Sequence, residues 1–293
     1  RAGAPGRPVM RVFDHVVIGA GSAGSVIAAR LSEDPDCRVL LVEAGPNDRP
    51  NLYRLRMPAA MGEAATSRYA AQYPSEPDAG LGGRGIVYPR GRVLGGSSSV
   101  NGMVYLRGHP KDYDGWAEAG LPNWSYAHCL PYFKRMETSG RGNDPWRGND
   151  GPLTVTQADG DHILHRAFLE AGRQAGLGWT DDVNGRDPEG VFRMERTTAG
   201  GERMSVARAY LHPARGRRNL TILTNALVER VAFEGNRATG ATLVRFRRRE
   251  TVRAERSVVL CAGAFESPKL LMLSGIGPAD HLRVHGIDVV ADR

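Results

Sequence analysis

Apolar and polar positions set out the architecture before any motif is considered. The run over residues 12–18 reads as a short buried strand. Ala23, Ile27 and Leu31 then recur at i, i+4 and i+8 until Glu33, Asp34 and Pro35 stop a helix. A second apolar run at 38–42 follows. Two near-continuous apolar strands joined by a helix form a βαβ unit, and a parallel sheet of this kind needs cover on both faces, so an α/β core begins here.

The middle of the chain is less regular. Between Pro46 and Gly91, Pro50, Pro58, Pro74, Pro77 and a glycine cluster from Gly80 to Gly85 break each candidate element, which predicts a long, lid-like loop region. Aromatics at Tyr113, Trp116, Trp124, Tyr126, Tyr132 and Phe133 sit in a helical setting and are expected to pack a core. The polar stretch 140–151 suits a domain boundary, and 162–175 reads as one amphipathic helix.

After Pro213 the pattern turns to strands at 220–223, 227–233, 238–246 and 251–254, with a turn at Glu234-Gly235-Asn236, which is a β-meander. The apolar run 257–261 closes it. A helix is then expected to open with Ser267 as N-cap and Pro268 at its first position, and to end at Gly275.

Composition narrows the class. At 41% apolar and 24% charged residues the chain is an ordinary globular one, and no stretch approaches the ~18 uninterrupted apolar residues of a membrane span. The formal charge of +7 is carried by arginine, with Lys111, Lys134 and Lys269 as the only lysines. The arginines are dispersed from Arg1 to Arg293, which argues against nucleic-acid binding. Cys37, Cys129 and Cys261 are too few and too scattered for a disulfide framework or a zinc site. With no apolar leader near Arg1, a cytoplasmic location and no metal are expected.

Three segments carry candidate chemistry. Gly19-Ala20-Gly21-Ser22-Ala23-Gly24 follows the first strand and opens the helix, and Glu43 stands 19 residues beyond Gly24 at the end of the second strand. Gly19 permits the tight turn, Gly21 admits a pyrophosphate to the helix N-terminus, Gly24 allows close helix–strand packing, and Glu43 can accept from ribose hydroxyls. This predicts a dinucleotide without deciding between NAD and FAD. The glycine- and serine-rich stretch 91–102 suits either close ligand approach or a flexible linker. The turn Ala262-Gly263-Ala264 ends a buried strand and precedes a helix, a position equally compatible with a ligand site and a well-capped core helix.

The second and third of these segments resemble the two signatures of the glucose-methanol-choline (GMC) family of FAD-dependent oxidoreductases. Gly91-Arg92-Val93-Leu94-Gly95-Gly96-Ser97-Ser98-Ser99-Val100-Asn101, continued by Tyr105-Leu106-Arg107-Gly108, is similar to the first, and residues 263–277 are similar to the second. The wording from Gly95 to Met103 is most like the choline dehydrogenase and alcohol dehydrogenase branch. The resemblance implies an FAD-binding Rossmann-like domain with a β-meander, plus an α+β substrate-domain region inserted in the chain. The expected parts are 11–150 and 214–293 for FAD and 151–213 for the substrate region.

By position, the resemblance assigns Gly19, Gly21, Ser22, Ala23, Gly24 and Glu43 to the adenosine and pyrophosphate. Val93, Ser97, Asn101, Gly102, Met103 and Val104 go to the pyrophosphate, ribitol and isoalloxazine, and Val228, Ala262 and Gly263 to the adenine half. Some members bind flavin covalently through a histidine that is Val100 here, so a non-covalent FAD is expected. The implied activity is oxidation of a small alcohol to an aldehyde or ketone, with electrons passed to a quinone or other acceptor, oxygen included. The family's catalytic histidine lies well beyond its second signature, so it is expected beyond Arg293, and none of the eight histidines here is assigned to catalysis. The chain reads as the amino-terminal part of such an enzyme. A non-redox relative such as a hydroxynitrile lyase, or a truncated FAD-binding chain without activity, is the alternative.

Overall fold

The computed structural model describes residues 10–49, 52–142, 144–157 and 161–293, which divide into two compact units. Among the described residues the first comprises those of 10–55, 59–100 and 206–293, and the second those of 56–58 and 101–205. These divisions fall after Val100 and Ser205, whereas the polarity of the chain had placed them near 150 and 213. Gly148 and Gly151 explain part of the difference. They pack against the strand Glu137–Ser139, where a Cβ at either would overlap backbone of residues 134–137, so the polar stretch is folded structure inside the second unit.

The first unit is an α/β sheet. Strand β1 (Arg11–Ile18) leads through helix α1 (Ser22–Leu31) to β2 (Val39–Val42), and β3 (Leu220–Leu223), β4 (Ala226–Glu234), β5 (Arg237–Arg245) and β6 (Arg248–Leu260) follow late in the chain. Their spatial order is β3-β2-β1-β6-β5-β4. β3, β2, β1 and β6 run parallel, and β4, β5 and β6 form the antiparallel meander. All four residues of β2 are buried, as a strand covered on both faces requires. The core joins Val16, Ile18, Leu40, Val42, Leu223, Leu243 and Val252 with Leu270 from helix α2 (Gly263–Leu273). Helix α1 turns small residues inward, Gly24, Ser25, Ala28 and Ala29, so its axis can lie close to the sheet.

Two sequence expectations change here. The runs 251–254 and 257–261 belong to one strand, β6, which pairs with β5 through its first half and with β1 beyond it. One extra β6 residue is absorbed between the pairs Phe13/Ala254 and His15/Ser257, and this bulge breaks the alternation that had suggested two strands. Helix α2 starts at Gly263, four residues before Ser267, and encloses Pro268. Pro268 is the sixth residue of the helix and forgoes one i→i−4 bond, while the Ser267 hydroxyl accepts the amide of Ala262 at 3.0 Å, satisfying a donor at the helix start.

The proline-broken region 46–91 is more ordered than expected. It contains a helix, Met61–Thr66, and a two-stranded ribbon, Ala70–Pro74 with Val87–Gly91. Such a ribbon has free edges on both sides, where the missing N–H of Pro74 and Pro89 need not break a ladder.

In the second unit, Tyr113 centres an aromatic cluster, with Trp116, Tyr126 and Phe133 at 5.2–5.8 Å. Tyr126 is buried, but Trp116, Trp124 and Tyr132 are exposed, so the cluster is only partly the core the sequence implied. The expected amphipathic helix forms as Ile163–Gln174, with Ile163, Leu164 and Phe168 on its exposed surface. The unit's polar core is an ion cluster. Arg147, fully buried, donates to Glu137 at 2.9 Å, Asp182 at 2.8 Å and Glu195 at 2.9 Å, and Arg107 donates to Glu137 at 2.8 Å.

Candidate cofactor site

A cavity of about 910 Å³ opens within the first unit at the carboxyl ends of β1, β2 and β6. That is where an open parallel sheet leaves room for a ligand. Its walls come from the turn after β1, the end of β2, the segment 90–97, the start of β4 and the turn into α2.

Backbone packing explains the glycines. Gly19 has φ +99°, and a Cβ there would stand 2.7 Å from the Cys261 carbonyl carbon and 2.9 Å from Ala262 Cα. A Cβ on Gly24 would overlap the Gly19 carbonyl oxygen, so this residue serves packing and does not line the cavity. Gly21 is different. Its φ of −76° suits any residue, and a Cβ would meet nothing nearer than 3.9 Å. The space beside Gly21 is therefore open to a ligand at the point where helix α1 begins and its first amides have no intrahelical acceptor. Gly21, Ser22 and Ala23 all line the cavity.

Glu43 directly follows β2, with its carboxyl buried. Oε2 accepts the amide of Ala20 and Oε1 that of Gly45, each at 2.9 Å. Burial pushes this carboxyl above the ordinary carboxylate range, against the pull of the Gly45 and Ala20 amides and the Arg92 charge. One lone pair on each oxygen is left for a further donor such as a ribose hydroxyl.

The remaining expected residues divide. Ser97, Val228, Ala262 and Gly263 line the cavity, and the Ser97 hydroxyl accepts the Gly91 amide at 3.0 Å. Val93 is fully buried with Leu55, Ala64, Tyr69 and Val100, so it supports the segment from behind. Asn101, Gly102, Met103 and Val104 belong to the second unit and are not among the cavity's lining residues. There Met103 holds a φ of +62°, and Asn101 Oδ1 accepts from the Met103 amide at 3.1 Å and from Arg203 Nη1 at 2.7 Å. Burial lowers the Arg203 pKa to about 10.

The cavity is lined as well by polar and aromatic side chains outside the expected set, among them Tyr73, Arg90, Arg92, Glu229, Phe265, Glu266 and Lys269. Arg92, Phe265, Glu266 and Lys269 lie inside the two signature segments, where spelling drew attention to glycine and serine. Tyr73 and Arg90 lie in the proline-broken region and had no signal. Phe265 stacks with Tyr73 at 5.2 Å and lies under the Arg90 guanidinium at 5.1 Å. Tyr73 donates its hydroxyl to Glu266 at 2.9 Å. Burial, then the bond to Glu266 and its charge, raise the tyrosine pKa to about 12, so it remains a donor. Three cations, Arg90, Arg92 and Lys269, stand at the cavity with three carboxyls, Glu43, Glu229 and Glu266, and Lys269 pairs with Glu266 at 3.2 Å.

Among the described residues no histidine lines the cavity, and no group of three His, Cys, Asp or Glu side chains is placed to hold a metal. Among the same residues no helix is long and apolar enough to cross a membrane.

Comparison with known proteins agrees with this geometry. A family profile described as GMC oxidoreductase matches residues 13–289. The oxygen-dependent choline dehydrogenase of Brucella ovis is 50% identical over 281 residues, which are 96% of this chain and 51% of that protein. The corresponding protein of Rhizobium etli is 51% identical over the same shares. The crystal structure of pyridoxine 4-oxidase from Mesorbium loti superposes with a TM-score of 0.91 at 42% identity, covering 96% of this chain and 55% of that one. An FAD-dependent oxidoreductase from Chaetomium thermophilum superposes with a TM-score of 0.87 at 32% identity, covering 96% and 50%. The chain spans about half the length of the curated relatives it matches.

Proposed function

The chain belongs to the GMC oxidoreductase family, and from that premise we propose that it holds FAD non-covalently for the oxidation of a small alcohol to an aldehyde or ketone. The observation that carries this reading is the open approach at Gly21, where the first amides of α1, the Glu43 carboxyl and the Arg92 guanidinium line one cavity. Gly21, Ser22 and Ala23 would take the pyrophosphate on backbone amides. Glu43 would accept from the ribose, with Val228, Ala262 and Gly263 beside the adenine half and Ser97 towards the pyrophosphate. Asn101, Gly102, Met103 and Val104 are assigned to the flavin half on motif resemblance. Residues 11–150 and 214–293 are read as FAD-binding and 151–213 as a substrate region.

Bound FAD supplies a two-electron acceptor for the hydride leaving the alcohol carbon. The chain's own part is to bind and orient it. The hydroxyl proton is assigned, on the family resemblance, to a histidine outside residues 1–293. Val100, buried beside Val93, offers no nucleophile for covalent attachment. Electrons then pass to a quinone or another acceptor such as oxygen. We place the activity in the cytoplasm.

The test is the visible spectrum of chain 1–293 after incubation with FAD and gel filtration, before and after acid precipitation. Flavin bands that co-elute with protein and then leave with the acid supernatant support the reading. A folded, colourless chain overturns it, and colour retained in the pellet overturns the non-covalent assignment.

A further inference from the structure

The hairpin joining β5 to β6 is built against its own stability. Its two-residue turn is Phe246-Arg247, with φ of +49° and +63°. A type I′ turn of this kind strongly favours Asn-Gly, because both central residues must adopt positive φ. The residues closing the turn, Arg245 and Arg248, face each other directly across the ladder, a like-charge pair. At the apex Phe246 is 72% exposed, with the Arg245 guanidinium over its ring at 4.9 Å.

Neighbouring charge is mostly neutralised. Arg249 meets Glu229 through two bonds of 2.7 and 3.1 Å, and Arg253 meets Glu234 at 2.9 Å and Glu255 at 3.2 Å. Arg247 and Arg248 make no ion pair with any described residue. Arg247 and Arg248 thus leave unpaired positive charge at the turn, next to one exposed aromatic ring. A nucleic-acid backbone asks for a continuous basic track, which the paired arginines along the strands do not provide. A planar anionic surface that yields to a ring asks for what the tip has.

We propose that the β5–β6 hairpin tip seats this protein on an anionic lipid bilayer, with Phe246 entering the headgroup layer and Arg247 and Arg248 meeting lipid phosphates. Anionic headgroups would screen the Arg245–Arg248 repulsion and compensate the strained turn. The inference is independent of the cofactor reading.

The experiment is co-sedimentation of chain 1–293 with phosphatidylglycerol/phosphatidylcholine vesicles and with phosphatidylcholine vesicles alone, at ~0.1 M salt. Binding is expected only to the former. The double variant Phe246→Asn/Arg247→Gly installs the favoured turn, so it should melt at a higher temperature than the parent yet bind anionic vesicles at least tenfold more weakly. Arg247→Gln/Arg248→Gln should weaken binding by about fivefold for each arginine removed. If the Asn-Gly variant gains stability and keeps parental vesicle binding, the strain is incidental and the proposal fails. It fails equally if the parent ignores anionic vesicles, if it binds neutral ones as well, or if duplex DNA of equal phosphate concentration displaces it from them completely.

Discussion

Alanine substitutions at Gly19 and Gly21, two residues apart on one turn, should change stability in opposite directions and both impair FAD binding. At Gly19 the backbone sits at φ +99°, where a side chain costs about 1–2 kcal/mol. The new Cβ also falls 2.7 Å from the Cys261 carbonyl carbon, so the end of β6 must move, at about 1–3 kcal/mol more. Gly19→Ala should therefore lose roughly 2–5 kcal/mol, a fall of about 5–15 °C in melting temperature for a chain of this size. At Gly21, φ is −76° and the nearest atom to the added Cβ is 3.9 Å away. Removing glycine's freedom in the unfolded chain should then raise stability by about 0.4–1 kcal/mol. The same methyl fills the space a pyrophosphate would enter. Losing one amide bond to a charged phosphate costs about 1.5–3 kcal/mol, so Gly21→Ala should bind FAD at least tenfold more weakly. Thermal unfolding without FAD and titration of flavin fluorescence separate the two effects. A Gly21→Ala variant that binds FAD as the parent does would refute the assignment of this turn to the pyrophosphate. One that melts several degrees lower would refute the claim of open space.

Other consequences can be measured on the same protein. Burial raises the Glu43 carboxyl above its ordinary value, so the folded state holds that proton more tightly than the unfolded chain. Its contribution is full below the ordinary value of 4.5 and is lost as pH rises through the folded value. The melting-temperature difference between parent and Glu43→Gln should accordingly fall with rising pH; a difference that grows would mean that the two amides outweigh burial. Arg147→Met leaves three carboxylates around an empty centre, at about 3–5 kcal/mol, so amide exchange across 101–205 should accelerate roughly 100-fold or more while β1 and β2 stay protected. Burial pushes Glu195 up, but the bonds and charge of Arg147, with Asn184 and Arg141, hold it below the usual range, so its contribution is present at neutral pH and lost on acidification through the folded value. Arg92→Gln should weaken FAD about tenfold and leave the FAD-free melting temperature nearly unchanged, and equal affinity would remove Arg92 from the site.

The parts of the fold that could be read in advance are those whose pattern is local. β1, α1 and β2 follow from an apolar run, a 3.6-residue period and a second apolar run, and the glycine turn between them leaves open space at Gly21. The strands of the meander were legible for the same reason. What failed was everything decided by partners distant in sequence. β6 looked like two strands because its bulge interrupts alternation, and only pairing with both β1 and β5 makes it one. Helix α2 looked as if it started at Ser267 because serine and proline are strong start signals. The side chain of Ser267 is spent instead on the Ala262 amide one turn earlier.

The site shows the same division between backbone and side chain. Its glycines and Glu43 could be singled out because φ, close approach and position after a strand mark them in the sequence. Val93 was assigned to the ligand by its place in a signature, yet it faces Tyr69 and Val100, since residues that flank a ligand loop alternate between wall and support. Tyr73 shows the converse. It reaches the cavity from a ribbon paired Tyr73 to Tyr88 and is fixed by Glu266, almost two hundred residues away in sequence, so no local pattern marks it. Phe246 and Arg247 belong to neither case. Local rules identify the turn between β5 and β6 and specify Asn-Gly for it, and the chain places there two residues that those rules disfavour. The one contact found for the Phe246 ring is the Arg245 guanidinium over it at 4.9 Å, which leaves both positive-φ residues exposed, and the proposed anionic surface is what would reward that choice.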